Sequence, residues 1–255
     1  MREVAISVRG LKKRFGPKEV LRGVDLDIIR HKTTVIMGLS GSGKSTIIKH
    51  IVGLLKPDEG SIMVDGIDVA KADEDQIFAV RKKVGFLFQS GALFDSMNVY
   101  ENVAFPLREH TNLGEKVILK KVERALEMVG LKPNEVLRLF PDELSGGMRK
   151  RVGLARTVIM EPEIILYDEP TTGLDPITCD LISQMILHLQ SELNVTSVLI
   201  SHDIKESFKV GDYFAFLFEG KILEYGDRES FKKSSNPYVK QFLEGESQGP
   251  IKIVD

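Results

Sequence analysis

Apolar and polar residues alternate near the start of the chain, over residues 3–32. Val4, Ile6 and Val8 begin the alternation, and a second series runs over residues 20–28. A period of two is typical of antiparallel strands that bury one face. This part of the chain therefore predicts an antiparallel β region.

The pattern changes to helical spacing between about residues 93 and 160. Apolar residues over 116–129 recur close to the period of a helix, and Gly130 provides a stop. Strands and helices then alternate over residues 164–223. We therefore predict an α/β core with an antiparallel β flank and an inserted helical subdomain at about 93–160.

A glycine-rich loop follows the β-branched run at 33–36 and opens onto a helical stretch at 47–52. Strand, glycine-rich loop and helix start form the context that a P-loop requires, which predicts a P-loop NTPase (RecA-like) core. Backbone N–H groups of such a loop bind phosphate, Lys44 would reach the outer phosphates, and the Ser45 hydroxyl would bind Mg²⁺. The loop consists of Gly38, Leu39, Ser40, Gly41, Ser42, Gly43, Lys44, Ser45 and Thr46.

Two carboxylates end the apolar run at residues 164–169. A buried parallel strand delivers such groups to its C-terminal end, where ligands bind. We predict that Asp168 holds Mg²⁺ and that Glu169 orients and deprotonates the attacking water. Taken alone, the two acids could simply end a strand, but their combination with a P-loop favours the catalytic interpretation.

A second candidate anion site begins at residues 144–148, where Ser145 can cap a helix and Gly146 and Gly147 leave its start bare. An ordinary serine-capped helix is the alternative. If two copies of the chain faced each other, this site and the P-loop could hold the same γ-phosphate.

Together these motifs resemble the ATP-binding subunit of ABC transporters. Residues 144–148 resemble the family's signature motif, with Met148 where glutamine is commoner. The resemblance implies that Phe15 stacks on adenine, that Gln89 senses Mg²⁺ and water, and that His202 contacts the γ-phosphate. It also implies the cofactors ATP and Mg²⁺, a homodimer, and a site completed by Ser145, Gly146 and Gly147 of the second copy. The implied catalytic residues are Glu169, His202 and Gln89, and the implied Mg²⁺ ligands are Ser45, Gln89 and Asp168.

Length and composition exclude several classes of ABC protein. With 255 residues, the chain has room for one nucleotide-binding unit, which excludes two fused units. The single cysteine, Cys179, excludes zinc modules, and a net charge of −2 gives no electrostatic footprint for nucleic acid. We interpret the basic cluster at 149–151 as a solvated helix face; the alternative is that one member helps to attract phosphate.

The chain contains no apolar run of the length that a transmembrane helix needs, and its first residues do not resemble a signal peptide. We therefore expect a cytoplasmic protein, peripheral on the inner face of the cell membrane. In the ABC family, a membrane permease docks beside the glutamine that Gln89 matches, and this partner would hold the chain at the membrane.

Residues 88–99, 101–111 and 236–245 resemble the corresponding segments of Mla-type ATPases, which power lipid transport with MCE-domain proteins. This resemblance implies phospholipid transport between membranes, with an MCE-domain protein reached through the permease. A small cytoplasmic regulatory subunit is a further candidate partner.

Two other functions stay open. One is the ATPase of a small-solute importer; the other is a signalling ABC ATPase that acts on a cell-wall enzyme through a membrane partner. We assign residues 1–235 to the nucleotide-binding domain and 236–255 to a tail. A helix is predicted at 237–243. The tail is either a frayed terminus or an extension that docks onto the second copy.

Overall fold

The computed structural model describes residues 3–252. The chain divides into two compact units. Unit 1 comprises Met1–Ile77 and Val198–Asp255, and unit 2 comprises Phe78–Ser197.

Strands and helices are interspersed along both units. The first part of the chain contains β1 (Val4–Phe15), β2 (Lys18–Ile29), β3 (Thr33–Met37), α1 (Lys44–Ile51), β4 (Glu59–Val64), β5 (Ile67–Asp68) and α2 (Glu74–Lys83). The middle contains β6 (Val84–Leu87), α3 (Val99–His110), α4 (Glu115–Met128), α5 (Pro133–Val136), a 3₁₀ turn (Pro141–Glu143), α6 (Gly146–Val158), β7 (Ile164–Asp168), α7 (Pro176–Leu193) and β8 (Thr196–Ile200). The last part contains α8 (Ile204–Val210), β9 (Tyr213–Phe218), β10 (Lys221–Asp227), α9 (Arg228–Lys232) and α10 (Pro237–Glu244).

Unit 1 contains the predicted antiparallel region as a four-stranded sheet in the order β2-β1-β4-β5. In the β1–β2 pair, Val8 lies opposite Leu26, and both side chains are buried. The alternating apolar residues thus cover one face of the sheet, as the sequence predicts.

A second set of strands in unit 1 places the glycine-rich loop. β3 runs parallel to β9, and β9 pairs antiparallel with β10. All five residues of β3 are buried. A strand buried on both faces reads as a continuous apolar or β-branched run, which is the pattern found in its sequence. The loop begins at Gly38, directly after this strand.

Unit 2 contains a parallel pair, β6 and β7, together with the predicted helical segment. α3 begins at a capping box formed by Asn98 and Glu101. Inside it, the buried Asn102 side chain accepts a hydrogen bond from the Phe94 N–H and donates to the Met97 carbonyl. A buried polar side chain requires hydrogen-bond partners, and Asn102 finds them in the loop before α3. These bonds hold that loop against the helix.

The predicted helix near the end of the chain is present as α10, and it packs within unit 1. Val239 is buried, and the Phe242 ring lies 5.1 Å from that of Phe216 on β9. The Gln241 side chain exchanges hydrogen bonds with the backbone of Ile251, which is itself buried. Docking of the tail onto a second copy stays a prediction, and residues 253–255 lie outside the described residues.

The α/β architecture with an antiparallel β region and an inserted helical segment is therefore confirmed. Among residues 3–252, no helix combines the length and apolar character that a bilayer span requires.

Candidate nucleotide site

The glycine-rich loop of unit 1 has a backbone that requires glycine. Gly38 has a φ of 148°, and a Cβ atom there would lie 2.2 Å from the Leu217 carbonyl oxygen. Gly43, with a φ of 104°, is the N-cap residue of α1. These left-handed conformations let the loop curl before the helix begins, so that its N–H groups and the helix N-terminus can bind an anion.

Polar groups in the loop fit a phosphate-bearing ligand. Lys44 is only 4% exposed, and its Nζ donates hydrogen bonds to the carbonyls of Gly38 at 3.0 Å and Leu39 at 2.9 Å. The Ser42 hydroxyl is buried and has no hydrogen-bond partner in the described structure. An unpaired buried hydroxyl is costly, and a phosphate oxygen is a suitable acceptor for it. The loop thus supplies hydrogen-bond donors of the kind that bind a phosphate group. Ser45 lies half-buried in the first turn of α1.

Unit 1 also carries Phe15 and His202. Phe15 ends β1 with 46% of its surface exposed, which leaves its ring accessible for stacking. His202 is exposed and follows β8 by two residues. The structure leaves the roles of both residues as predictions.

The paired carboxylates lie in unit 2, at the end of β7. Asp168 is buried, whereas Glu169 is half-buried and has a φ of 48°. Glutamate seldom adopts this left-handed conformation, and it persists only where neighbouring contacts stabilise it. The Thr172 hydroxyl donates a 2.9 Å hydrogen bond to Glu169 Oε2 and thereby orients the carboxylate.

Gln89 lies in the same unit, exposed in the loop that follows β6. Its carbonyl accepts a hydrogen bond from Lys150 Nζ on α6. The same Nζ lies 3.4 Å from the Glu169 carbonyl oxygen. The structure therefore brings together the backbones of two predicted site residues, Gln89 and Glu169, through Lys150, which the sequence placed on a solvated helix face.

The predicted second anion site is the beginning of α6. Ser145 is the N-cap residue, and its Oγ accepts a hydrogen bond from the Met148 N–H at 3.2 Å. Ser145 and Gly146 are exposed. A Cβ atom on Gly147 would lie 2.8 Å from Thr178 Cγ2, so a bare residue is required there for packing within the chain. The expected capped helix with a glycine-bare start is present.

The interpretation of residues 149–151 as a solvated helix face is wrong for Lys150. Arg149 is exposed, but Lys150 is only 6% exposed. A signal was available in the helical period, because Lys150 precedes the buried Leu154 by one turn and shares its face. The three consecutive basic residues favoured a solvated face instead, so the helical period at Lys150 was not used.

Comparisons with known proteins give one consistent family. The family model described as ABC transporter matches residues 21–172. Over 248 residues the chain is 44% identical to the probable ribonucleotide transport ATP-binding protein mkl of Mycobacterium leprae, covering 97% of this chain and 71% of that protein. Over 253 residues it is 41% identical to the intermembrane phospholipid transport system ATP-binding protein MlaF of Haemophilus influenzae, covering 99% and 95%.

A solved structure supports the same fold. It is the dimeric post-hydrolysis state of the ATP-binding cassette MJ0796 bound to ADP and Pi, with a TM-score of 0.80 and 32% identity. The match covers 88% of this chain and 98% of that chain.

Proposed function

The chain belongs to the ABC transporter family, and we propose that it powers the movement of phospholipid between membranes together with an MCE-domain protein system. It is an ATP-binding subunit of a transporter and an ATPase. The observation that carries the lipid proposal is the similarity to the phospholipid transport protein MlaF, which spans nearly the full length of both chains.

Within this ATPase, the P-loop N–H groups and Lys44 would bind the phosphates, and Phe15 would stack on the adenine. Ser45, Gln89 and Asp168 would hold Mg²⁺, which neutralises phosphate charge when bound. Glu169 would accept the proton of the attacking water, because its carboxylate is oriented by Thr172. His202 would contact the γ-phosphate. These roles rest on the sequence motifs and on the local geometry of each unit.

The proposed site is completed by a second copy of the chain. The start of α6 comprises the exposed Ser145 and Gly146 and the half-buried Gly147, and it offers backbone N–H groups in addition to those of the P-loop. In a two-fold dimer it would face the γ-phosphate held by the partner. The dimeric state of the similar MJ0796 cassette supports this arrangement.

An apolar groove in unit 2 suits the proposed permease partner. It has a volume of about 570 Å³ and contains two aromatic pairs, Phe86 with Phe88 at 4.2 Å and Phe94 with Phe105 at 5.0 Å between ring centroids. Lys82 and other basic residues also line it. Much of the lining comes from the 88–111 segment that resembles Mla-type ATPases. We propose that an apolar helix of the permease with acidic flanks occupies this groove and holds the chain on the inner face of the membrane.

The double variant Phe94→Ala with Phe105→Ala tests this surface. We expect at least about a 10-fold loss of permease recovered with the tagged chain, because buried aromatic residues dominate most interfaces. ATPase activity of the isolated subunit should stay within about 2-fold of wild type, since neither ring belongs to the proposed nucleotide site. Phe140→Ala is the matched control, an exposed phenylalanine of the same unit outside the groove. Equal recovery of permease with all three proteins would contradict the docking proposal.

The transported substrate is tested on the intact complex. Purification through the tagged chain, followed by mass spectrometry, should recover the permease, an MCE-domain protein and bound phospholipid; a small cytoplasmic subunit would show in the same sample. Phospholipid should also stimulate ATP hydrolysis by the complex. Stimulation by ribonucleotides instead, with no lipid bound, would favour a small-solute transporter, the function that the name of the mkl relative suggests. Recovery of a cell-wall enzyme without a lipid-binding partner would favour the signalling alternative.

A further inference from the structure

Lys150 is a buried lysine beside two of the proposed catalytic residues, Gln89 and Glu169. It lies on α6, four residues beyond Gly146, where that helix begins. Lysine is rarely buried to this extent, because removing its ammonium group from water is costly unless the donated hydrogen bonds find acceptors. Its position therefore calls for a specific explanation.

The acceptors of this ammonium group are two backbone carbonyls from two different loops. Lys150 Nζ donates to the Gln89 carbonyl and lies 3.4 Å from the Glu169 carbonyl. Burial lowers the pKa of Lys150, and the carboxylates of Glu169 and Asp168 oppose that shift. The ammonium group thus faces the carboxyl end of β7, where both acids lie.

The two loops that Lys150 contacts have backbone positions that depend on such contacts. Glu169 holds a left-handed backbone conformation, and its carbonyl also accepts the Thr172 N–H at 3.3 Å. Gln89 lies exposed beyond the end of β6. A contact that fixes both carbonyls limits rotation of both peptide planes and hence the positions from which the two side chains project.

Other residues of α6 hold the same loop further along. A Cβ atom on Gly153 would lie 3.1 Å from Gly91 Cα, so helix and loop approach closely there. Arg156 donates hydrogen bonds to the carbonyls of Gly91 and Ala92, each at 2.8 Å. The helix that begins at the signature serine is therefore fastened to the loop of Gln89 at several points, and Lys150 extends this attachment to Glu169.

We propose that Lys150 is a positioning residue for ATP hydrolysis, which fixes the backbones of Gln89 and Glu169 relative to the signature motif at the start of α6. The proposal rests on the functions proposed above for Gln89 and Glu169. It assigns Lys150 no contact with the nucleotide. Loss of the ammonium group should therefore misplace the hydrolytic residues without weakening nucleotide binding by the P-loop.

The test is Lys150→Met, which keeps an unbranched side chain of similar length and removes the donor. We expect kcat for ATP hydrolysis to fall by at least about 10-fold, as for other residues that orient a catalytic group, while KM for ATP changes less than about 2-fold. Lys150→Arg should recover much of the lost rate, because it restores a charged donor. The matched control is Arg149→Met, which removes the neighbouring but exposed charge and should leave both constants near wild type.

Three results would overturn the proposal. One is wild-type kcat in Lys150→Met. Another is a loss of rate that follows the folded fraction in thermal melts and is not recovered in Lys150→Arg, since this indicates support of the fold alone. The third applies if Lys150→Met does not fold: Lys150→Gln then replaces it, and a wild-type kcat in Lys150→Gln would overturn the proposal. Glu169→Gln, measured in parallel, distinguishes the catalytic assignment of Glu169 from the positioning assignment of Lys150. Full ATPase activity in Glu169→Gln would contradict the catalytic assignment of Glu169, independently of the result for Lys150.

Discussion

Replacing Glu169 with glutamine is expected to slow ATP hydrolysis by at least about 10²-fold while ATP binding is retained. Glutamine has nearly the same shape and can still accept the Thr172 hydrogen bond through its amide oxygen. It cannot take a proton from water at neutral pH. The proposed phosphate-binding loop consists of other residues, Gly38 to Thr46, so affinity for the nucleotide should change little.

A second consequence concerns assembly. If ATP bridges two copies of the chain and its γ-phosphate is no longer removed, the Glu169→Gln protein should accumulate as an ATP-bound dimer. Phosphate release measures the rate of hydrolysis, binding of a fluorescent ATP analogue measures the affinity for nucleotide, and sedimentation measures the fraction of dimer. Glu163→Gln is the matched control: Glu163 lies just before β7, is exposed and pairs with Lys83 at 3.3 Å. Wild-type hydrolysis by Glu169→Gln would contradict its assignment as the base.

The elements whose sequence carries a strong period could be predicted well. The alternation that includes Val8 and Leu26 corresponds to an antiparallel pair in which both are buried. The glycine positions of the P-loop were also predictable, because Gly38 and Gly43 adopt backbone conformations that other residues resist. In these cases a single local constraint determines the residue type, so the pattern points directly to the structure.

Lys150 shows the limit of prediction from local pattern. A lysine within a basic cluster reads as solvated, because burial of an ammonium group is normally unfavourable. Its burial depends on two carbonyls, those of Gln89 and Glu169, whose sequence distances from it are large and whose positions arise only from tertiary packing. The left-handed conformation of Glu169 is likewise invisible in the sequence, since glutamate has no preference for it.

The tail illustrates the same limit in another form. The Pro237 start and the apolar spacing predicted a helix, and α10 is present. The sequence left open whether the tail frays or docks onto a second copy. Val239 and Phe242 pack within unit 1, and docking of the tail stays a prediction. Amphipathic spacing identifies the face that is buried, whereas the surface that covers it depends on the three-dimensional position of the helix.

Mixed dimers provide the second large expected effect, because they test whether the start of α6 acts on the nucleotide of the other copy. Lys44→Ala removes a nearly buried cation from the P-loop and should abolish productive ATP binding by its own chain. Ser145→Arg places a bulky side chain at an exposed N-cap residue. The lost cap costs only about 1 kcal/mol of stability, so the variant should fold, but it should not close onto a partner's nucleotide.

Each variant alone damages both sites of a homodimer. In a dimer of one Lys44→Ala chain and one Ser145→Arg chain, one composite site loses both halves and the other keeps both. We therefore expect the purified mixed dimer to hydrolyse ATP at up to about half of the wild-type rate, well above either homodimer. Differently tagged chains allow its isolation, and remixing of wild-type chains controls for handling. A site formed within one chain makes the opposite prediction: the mixed dimer would then be as inactive as the two variants, and normal assembly without recovered hydrolysis would exclude the shared site.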